Sequence, residues 1–183
     1  RKGRDVEHEV SIPFDLALTG GAYTLRLSFD DEDAETLEVR IPRAVSDGAR
    51  LRLRGKGQPS PGGERGDLML TIRVAPHPFY KREGERGLDV VADVPISIVE
   101  ATLGAKARVR TPGGVVEVAV PAGTASGARL RLRGRGVETD DGRKGDFYAV
   151  VKIVPPKGLS EADRAALAEF GARIEPPSGD ARA

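Results

Sequence analysis

The sequence contains one long stretch twice, and this repeat limits the possible folds more than any other feature. Residues 39–57 read VRIPRAVSDGARLRLRGKG and residues 118–136 read VAVPAGTASGARLRLRGRG, with 11 of 19 positions identical at an offset of 79 residues. The offset continues downstream, where Pro76 falls on Pro155. Because solenoid repeats usually run about 20–50 residues, a period of this length predicts a whole small domain copied in tandem.

Composition adds a few further limits. The 183 residues suit two domains of roughly 75–80 residues each. A net charge of +1 argues against a protein built mainly to neutralise phosphate groups. The chain has no cysteine, which excludes disulfides and cysteine-bound zinc. No apolar run approaches the ~20 residues of a membrane span, so we expect a soluble, cytoplasmic protein with no membrane partner.

Alternating apolar and polar side chains predict strands through most of the chain. Near the start, Val10 and Ile12 alternate with Glu9 and Ser11, which is the period-two pattern of a half-buried strand. Turn sequences such as TPGG at residues 111–114 predict hairpins between neighbouring strands. The pattern predicts strands at residues 3–13, 22–29, 36–41, 49–54, 68–74, 88–94, 105–110, 115–120, 128–133 and 147–154.

The one long helical pattern begins at Ser160, in the sequence SEADRAALAEF. Ser160 is a suitable N-cap and Asp163 occupies the N3 position. The apolar side chains on one narrow side are Ala166, Leu167 and Phe170. Because an isolated helix of this length is only marginally stable in water, we expect it to dock on another surface.

Two strands carry arginine at every second position, with Arg50, Arg52 and Arg54 in the first repeat. The equivalent arginines of the second repeat are Arg129, Arg131 and Arg133. One interpretation is a basic stripe that binds nucleic acid; the other is the solvent face of a strand whose opposite face carries core leucines. The near-zero net charge and the lack of interleaved aromatic residues favour the solvent face.

Nothing in the sequence predicts catalysis or metal binding. The acidic segment DDEDAE at residues 30–35 lacks the glycine and the distal glutamate of a calcium loop, so it is interpreted as a solvated hairpin connection. The two histidines, His8 and His77, have no partner pattern for a metal or a nucleophile. We therefore expect no enzyme activity, no catalytic residues, no metal and no cofactor.

An apolar groove is the remaining candidate site. Val10 and Ile12 on the first strand, with Leu25 and Leu27 on the next, could form an apolar stripe. Phe79 or Tyr80 could rim this stripe. From the pattern alone an ordinary sandwich core is the favoured alternative.

Several blocks of the sequence, taken together and in order, resemble the C-terminal region of the DnaJ family of co-chaperones. The resemblance covers residues from about 3 to about 170. The blocks are GRDVEHEVSIPF, DGARLRLRGKG, RGDLMLTIRV, HPFYKREG, LDVVADVPISIVEATLG, TPGG, VPAGTASGARLRLRGRG, KGDFYAVVKIVPP and LSEADRAAL.

This resemblance implies an all-β fold, with two tandem β-sandwich-like domains related by the internal repeat and a short C-terminal helix. The implied boundaries are residues 1–83 for a client-binding domain and 84–158 for a spacer domain. Residues 159–174 would form a dimerisation helix, and residues 175–183 would be a disordered tail. The implied partners are unfolded polypeptides, a DnaK-type chaperone and a second copy of the chain.

The resemblance also implies roles for particular residues. Clients would bind the first domain by β-augmentation, in which an extended peptide adds a strand to a sheet edge. The implied client-binding residues are Val10, Ile12, Leu25, Leu27, Phe79 and Tyr80. Lys81 and Arg82 would help to bind the acidic tail of the partner chaperone, and the dimer interface would contain Leu159, Ala166, Leu167 and Phe170.

The chain departs from the family pattern in two respects. It has no J-domain and no His-Pro-Asp motif, so we expect no stimulation of a partner's ATPase by this chain alone. The cysteine-rich zinc insertion is also missing, and in this respect the chain resembles the zinc-free subclass. A member of that subclass binds curved DNA, and this supplies the alternative function of weak, non-specific DNA binding through the arginine strands.

Overall fold

The computed structural model describes residues 2–29, 33–179 and 182. Within this part of the chain the residues in strands far outnumber those in helices, which confirms the predicted all-β class. The strands are β1 (Val6–Ile12), β2 (Gly21–Leu27), β3 (Glu35–Ile41), β4 (Arg50–Leu53), β5 (Leu68–Val74), β6 (Lys81–Glu83), β7 (Asp89–Ser97), β8 (Ala105–Thr111), β9 (Gly114–Val120), β10 (Arg129–Leu132) and β11 (Phe147–Val154). The helices are α1 (Phe14–Thr19), α2 (Ile98–Leu103) and α3 (Glu161–Arg173).

The first domain pairs a three-stranded sheet with a hairpin. The sheet has the order β1-β5-β4, with β1 parallel to β5 and β4 antiparallel to it. β2 and β3 form the antiparallel hairpin, and residues 30–32 of its predicted acidic connection lie outside the described residues. The inward side chains of sheet and hairpin share one core, which is the layering of a small sandwich. This first core contains Val10, Ile12, Leu25, Leu27, Val39, Ile41, Leu68, Leu70 and Ile72.

The second domain repeats this plan with one additional strand. Its sheet has the order β10-β11-β7-β6, and its hairpin is β8–β9. β11 is parallel to β7, as β5 is to β1. The additional strand, β6, pairs antiparallel with β7 on the side away from β11. The equivalent side of β1 in the first domain has no partner strand among the described residues. The sequence pattern did not predict β6, because three charged residues carry no apolar alternation.

The strand registers correct the equivalence of the two repeats. The dipeptides Ile12-Pro13 and Val94-Pro95 suggest from sequence alone that Ile12 is equivalent to Val94. The pairing of β1 with β5 and of β7 with β11 instead makes Ile12 equivalent to Ile96, an offset of 84 residues. The offset falls to 79 at the second hairpin strand. Connection lengths account for this change, because the link between β2 and β3 (28–34) has seven residues and that between β8 and β9 (112–113) has two.

Helix α1 joins the two domains. The side chains of Phe14 and Leu18 are only 7% exposed, and they lie in the core of the second domain with Val90 and Phe147. The sequence predicted no helix here, because six residues make fewer than two turns and show little helical periodicity. The first domain therefore contributes apolar side chains to the second domain's core.

The C-terminal helix α3 begins as predicted. The Ser160 side chain accepts a hydrogen bond from the Asp163 backbone N–H at 3.1 Å, which confirms the N-cap. None of its residues is buried. No helix among the described residues is long and apolar enough to cross a membrane.

Candidate functional site

The four predicted groove residues on the first two strands are core residues. Val10, Ile12, Leu25 and Leu27 are between 1% and 7% exposed and pack within the first core. Side chains of β1 and β2 meet in this core, and we call the junction between these two strands the first seam. The Tyr23 hydroxyl on β2 spans it by donating to the Ser11 carbonyl at 3.5 Å.

The main chain of β1 offers an open edge at the first seam. In the parallel pair with β5, the Val6 N–H donates to the Asp67 carbonyl and the Ile12 carbonyl accepts from Ala75 N–H. Alternation along a parallel strand therefore directs the backbone groups of residues 7, 9 and 11 away from β5. No strand pairs with that side of β1 within the part of the chain that the structure describes.

The equivalent junction of the second domain, between β7 and β8, is the second seam, and the chain itself fills part of it. β6 pairs with Asp89, Val90 and Val91 at the start of β7. Just before β6, the Tyr80 ring is 7% exposed and its hydroxyl donates to the Arg110 carbonyl on β8 at 2.9 Å. An open cleft of about 320 Å³ remains beside it, lined by Phe79, Tyr80, Ala92, Asp93, Val94, Pro95, Arg108, Val109 and Arg110.

The structure does not bring the six predicted client-binding residues together. Tyr80 packs in the core of the second domain and Phe79 is 51% exposed beside it, whereas the other four lie in the first core. His77 holds the two aromatic residues in place, because its Nδ1 accepts the backbone N–H groups of Phe79 and Tyr80, each at 3.3 Å. Sequence could not show this division, which depends on the undetected pairing of β6 with β7.

Of the two residues predicted to bind an acidic tail, Arg82 is engaged within the molecule. Its guanidinium donates to the carbonyls of Ala44 and Val45 in the first domain and of Gly87 in the loop before β7. Burial lowers the pKa of Arg82. Lys81 is exposed. Arg82 therefore ties the two domains together, and only Lys81 has a side chain open to a partner.

The arginine strands are largely paired with carboxylates. Four arginines of these strands form ion pairs with N–O distances of 2.9 Å or less among the described residues; the pairs are Arg50–Glu7, Arg52–Asp67, Arg129–Glu83 and Arg131–Asp146. Arg54 and Arg133 have no carboxylate within ion-pair distance among the described residues. The solvent-face interpretation thus describes most of these side chains, with one open guanidinium in each repeat.

An aspartate organises the end of each arginine strand. Asp67 accepts the Gly55 backbone N–H at 3.0 Å and the Arg52 guanidinium, and these donors lower the pKa of Asp67 to about 2. Asp146 accepts the Gly134 N–H at 2.9 Å and pairs with Arg131, which lowers its pKa in the same way. Arg52 and Arg131, which in the sequence resemble part of a nucleic-acid-binding stripe, therefore pair with the aspartates that stabilise the turns after β4 and β10.

The predicted dimer residues lie on an uncovered surface. Leu159 is half-buried and Ala166 is exposed, while Leu167 is 45% and Phe170 49% exposed. The sequence analysis missed a second apolar surface, on α2, where Ile98, Val99 and Leu103 are 48%, 60% and 73% exposed. The sequence IVEATL contains three large apolar residues, but the pattern alone could not show that their side chains are exposed.

The family model named DnaJ C terminal domain matches residues 3–156. Among curated relatives, the Curved DNA-binding protein of Pseudomonas putida strain KT2440 is 38% identical over 174 residues, covering 90% of this chain and 54% of the relative. The Curved DNA-binding protein of Pseudomonas syringae pv. tomato strain DC3000 is 39% identical over 175 residues, covering 90% and 55%. The Chaperone protein DnaJ of Geobacillus thermodenitrificans is 43% identical over 136 residues, covering 73% and 35%.

The chain thus spans about half the length, or less, of the curated relatives it matches. The family match covers both repeats and confirms the resemblance given by the sequence blocks. The family consists of chaperone modules rather than enzymes. The chain belongs to the DnaJ C terminal domain family.

Proposed function

We propose that this chain is the client-binding part of a DnaJ-type co-chaperone, and that the first seam holds an extended apolar segment of an unfolded protein. The observation that carries the proposal is the edge of β1, which no strand of the described residues pairs, at the position where β7 of the second domain is paired by β6. An unfolded chain offers free N–H and C=O groups, so it can add to such an edge with little sequence preference. Delivery to a DnaK-type chaperone belongs to the same proposal.

The second domain provides an internal template for the bound client. β6 runs antiparallel to β7, and the Tyr80 ring just before it inserts between β7 and β8. By equivalence, a client would run antiparallel to β1 and place a large apolar side chain in the first seam. The core beside that seam is apolar, because Val10 and Leu25 pack there.

One sequence difference supports the choice of the first domain. The edge-facing positions of β7 beyond the β6 pairing include Pro95, which has no N–H to donate. The equivalent position of β1 is Ser11, which keeps its N–H. A client strand can therefore extend along β1 past the point where β7 cannot pair.

The test replaces Ser11 by proline. Because the Ser11 N–H faces away from β5, a proline there removes no hydrogen bond of the sheet. We expect Ser11→Pro to weaken binding of a fluorescent, extended apolar peptide at least about tenfold, while Ser11→Ala, the matched control, stays within about twofold. Equal affinities of the two variants, with unchanged unfolding curves, would show that clients do not use the β1 edge. Buried residues such as Leu25 are unsuitable for this test, since charged substitutions there would unfold the domain.

Weak non-specific DNA binding is a second candidate. It is favoured by the names of the Pseudomonas relatives and by the guanidiniums of Arg54 and Arg133, which lack carboxylate partners among the described residues. If it occurs, the double variant Arg54→Ser and Arg133→Ser should lower duplex affinity and reduce the salt slope by about two. Absence of duplex binding by the wild type near physiological salt would end this candidate.

A homodimer formed through α3 completes the proposal. Its support is that Leu167 and Phe170 are about half exposed on a helix that buries nothing within its own chain. Two seams on one dimer would bind a long client more tightly than one, by raising the effective concentration of the second site. Deletion of residues 156–183 should give a monomer by light scattering; an unchanged mass would contradict this role of α3.

A further inference from the structure

A second open cleft of the second domain lies between β9 and β10, at the edge of its sheet that is away from β6. Its volume is about 400 Å³, and we call it the third seam. Val116 and Val118 on β9 and Leu132 on β10 give it an apolar lining. Both valines are only half-buried, so the cleft exposes apolar surface between two strands.

The main chain of β10 has free hydrogen-bonding groups on this side. The Ala128 carbonyl accepts the Val151 N–H at 2.8 Å. Because bonded pairs alternate along an antiparallel ladder, the main-chain groups of Arg129 and Arg131 face away from β11. No strand pairs with that side of β10 within the described part of the chain. An extended segment can therefore add to β10 as a strand.

The charge beside the third seam is positive. Arg133 and Arg135 are exposed and have no carboxylate within ion-pair distance among the described residues. Arg133 lies close enough to Asp146 to help lower the pKa of that carboxyl, but Asp146 is already bound to other donors. Glu117, which also lines the cleft, pairs with the Lys106 ammonium at 3.8 Å. The unpaired charges therefore favour an acidic occupant.

The first domain shows how the equivalent seam, between β3 and β4, is bridged by the chain itself. There the Arg65 guanidinium donates to the Gly57 carbonyl after β4, at 3.1 Å, and to the Glu35 carboxylate at the start of β3, at 2.9 Å. At the offset of 79 residues, Glu35 corresponds to Gly114 and Arg65 to Lys144. A glycine has no side chain with which to form this bridge, so the third seam lacks it.

The exposure of the hairpin side chains differs in the same sense. Val39 on β3 is 1% exposed, whereas Val118, the equivalent residue of β9, is only half-buried. The equivalent basic side chains are present in both domains, since Arg54 and Lys56 correspond to Arg133 and Arg135. The two seams therefore differ in access to their apolar lining rather than in charge.

We infer that the third seam binds an extended acidic segment of a partner protein, as a strand added to β10. On β10 the arginines face solvent and the leucines face inward. The added strand would place carboxylates beside Arg131 and Arg133, and apolar side chains towards Leu132 and Val116. Its sequence would therefore alternate acidic and apolar residues. This site is separate from the first seam and adds to the proposed function.

The first test measures binding of a fluorescent six-residue peptide that alternates aspartate and valine. The double variant Arg133→Ser and Arg135→Ser should raise its dissociation constant at least about fivefold, because two ion pairs are lost. The matched control is Arg54→Ser with Lys56→Ser, which removes the same charge at the equivalent positions of the first domain and should stay within about twofold. All four side chains are exposed, so both variants keep the fold. Equal losses in the two double variants, or no binding by the wild type, overturn the inference.

A second peptide tests the sign of the charge. Lysine replaces aspartate at every position while the valines stay, and we expect this peptide to bind at least about tenfold more weakly. Equal affinities of the two peptides would mean that the third seam does not select an acidic segment.

Hydrogen exchange tests the strand addition. Bound acidic peptide should slow exchange of the Arg129 and Arg131 amides, because their N–H groups face the added strand. The equivalent amides of β4, those of Arg50 and Arg52, are the control and should exchange at an unchanged rate. Binding without protection on β10 would show that the peptide is not a strand of this sheet.

Two further arms separate this site from the other proposed ones. Ser11→Pro should leave the affinity for the acidic peptide unchanged; a loss there would place that peptide at the first seam and overturn the inference. If a DNA duplex binds and loses affinity in the Arg133→Ser and Arg135→Ser variant while the acidic peptide does not bind, the surface is one for nucleic acid. If the acidic peptide binds as expected but Ser11→Pro has no effect on the apolar peptide, the third seam stands and the proposed client site fails.

Discussion

The two domains have the same arrangement of strands, but one edge of the β-sheet differs between them. In the second domain β6 pairs with the start of β7 and Pro95 removes a donor further along, so that edge is closed at both places. In the first domain the equivalent edge of β1 has neither a pairing strand among the described residues nor a proline. The comparison teaches that a short strand and one proline are the differences on which the proposed roles of the two domains, spacer and client-binding sheet, depend.

The largest expected effect concerns the contact between the domains. Phe14→Ala should lower the free energy of unfolding by about 3–5 kcal/mol, because it leaves a cavity in the core of the second domain. Phe79→Ala is the matched control; its ring is 51% exposed, so the loss should stay below about 1 kcal/mol. Urea unfolding measures both. Similar losses for the two variants would mean that Phe14 does not join the domains.

A second prediction concerns a close approach of backbone to a glycine that occurs in both domains. A Cβ at Gly66 would overlap the Arg4 carbonyl, and one at Gly145 would overlap the Leu88 carbonyl. Gly66→Ala and Gly145→Ala should therefore each cost about 1–3 kcal/mol of stability, because backbone must move in both cases. Gly113→Ala, where a Cβ meets nothing within 4 Å, is the control. Thermal unfolding would sharpen the comparison by showing whether the two domains respond equally.

A smaller effect is expected at the closed edge of the second domain. Tyr80→Phe keeps the ring but removes the hydroxyl that donates to the Arg110 carbonyl at 2.9 Å. The loss should be about 1 kcal/mol, the usual net value of one hydrogen bond. Hydrogen exchange should also become faster in β6, which Tyr80 adjoins. If exchange in β6 is unchanged, the Tyr80 hydroxyl does not hold the closed edge.

The smallest effect is a pH dependence in the first domain. Folding lowers the pKa of Asp67 from its ordinary value of 3.8 to about 2, mainly through the Gly55 N–H and the Arg52 guanidinium. The stabilisation is therefore complete above pH 3.8 and is lost as the pH falls towards 2. The stability difference between the wild type and Asp67→Asn should shrink over this range. A difference that stays constant would show that the Asp67 charge does not matter.

Local pattern was sufficient for much of the fold. The alternation predicted β1 and β5 closely, and the TPGG turn predicted the β8–β9 hairpin, because each signal lies within a few residues. The Ser160 cap of α3 was predicted for the same reason. The repeat and the sequence blocks gave the family, which the comparison with known proteins confirmed.

The candidate site depended on contacts between distant segments, which pattern does not reveal. The parallel pairing of β1 with β5 decides which edge stays open, and it joins residues 62 positions apart, such as Val10 and Ile72. The pairing of β6 with β7 moves Tyr80 into the second domain. Exposure of Ile98 also depends on what lies beside it, not on its place in the sequence. These features required the tertiary structure.

The open edge of β1 has a consequence for solubility. A free strand edge can also pair with the same edge of another copy, and chains that do so aggregate. Here the side chains on the solvent side of β1 include Glu7 and Glu9, with Arg50 and Arg73 bridging to them across the sheet. Two β1 edges brought together antiparallel would set glutamate near glutamate, which is destabilising. If clients bind this edge as proposed, its charges leave it open to an apolar strand from another protein while they discourage pairing with its own copy.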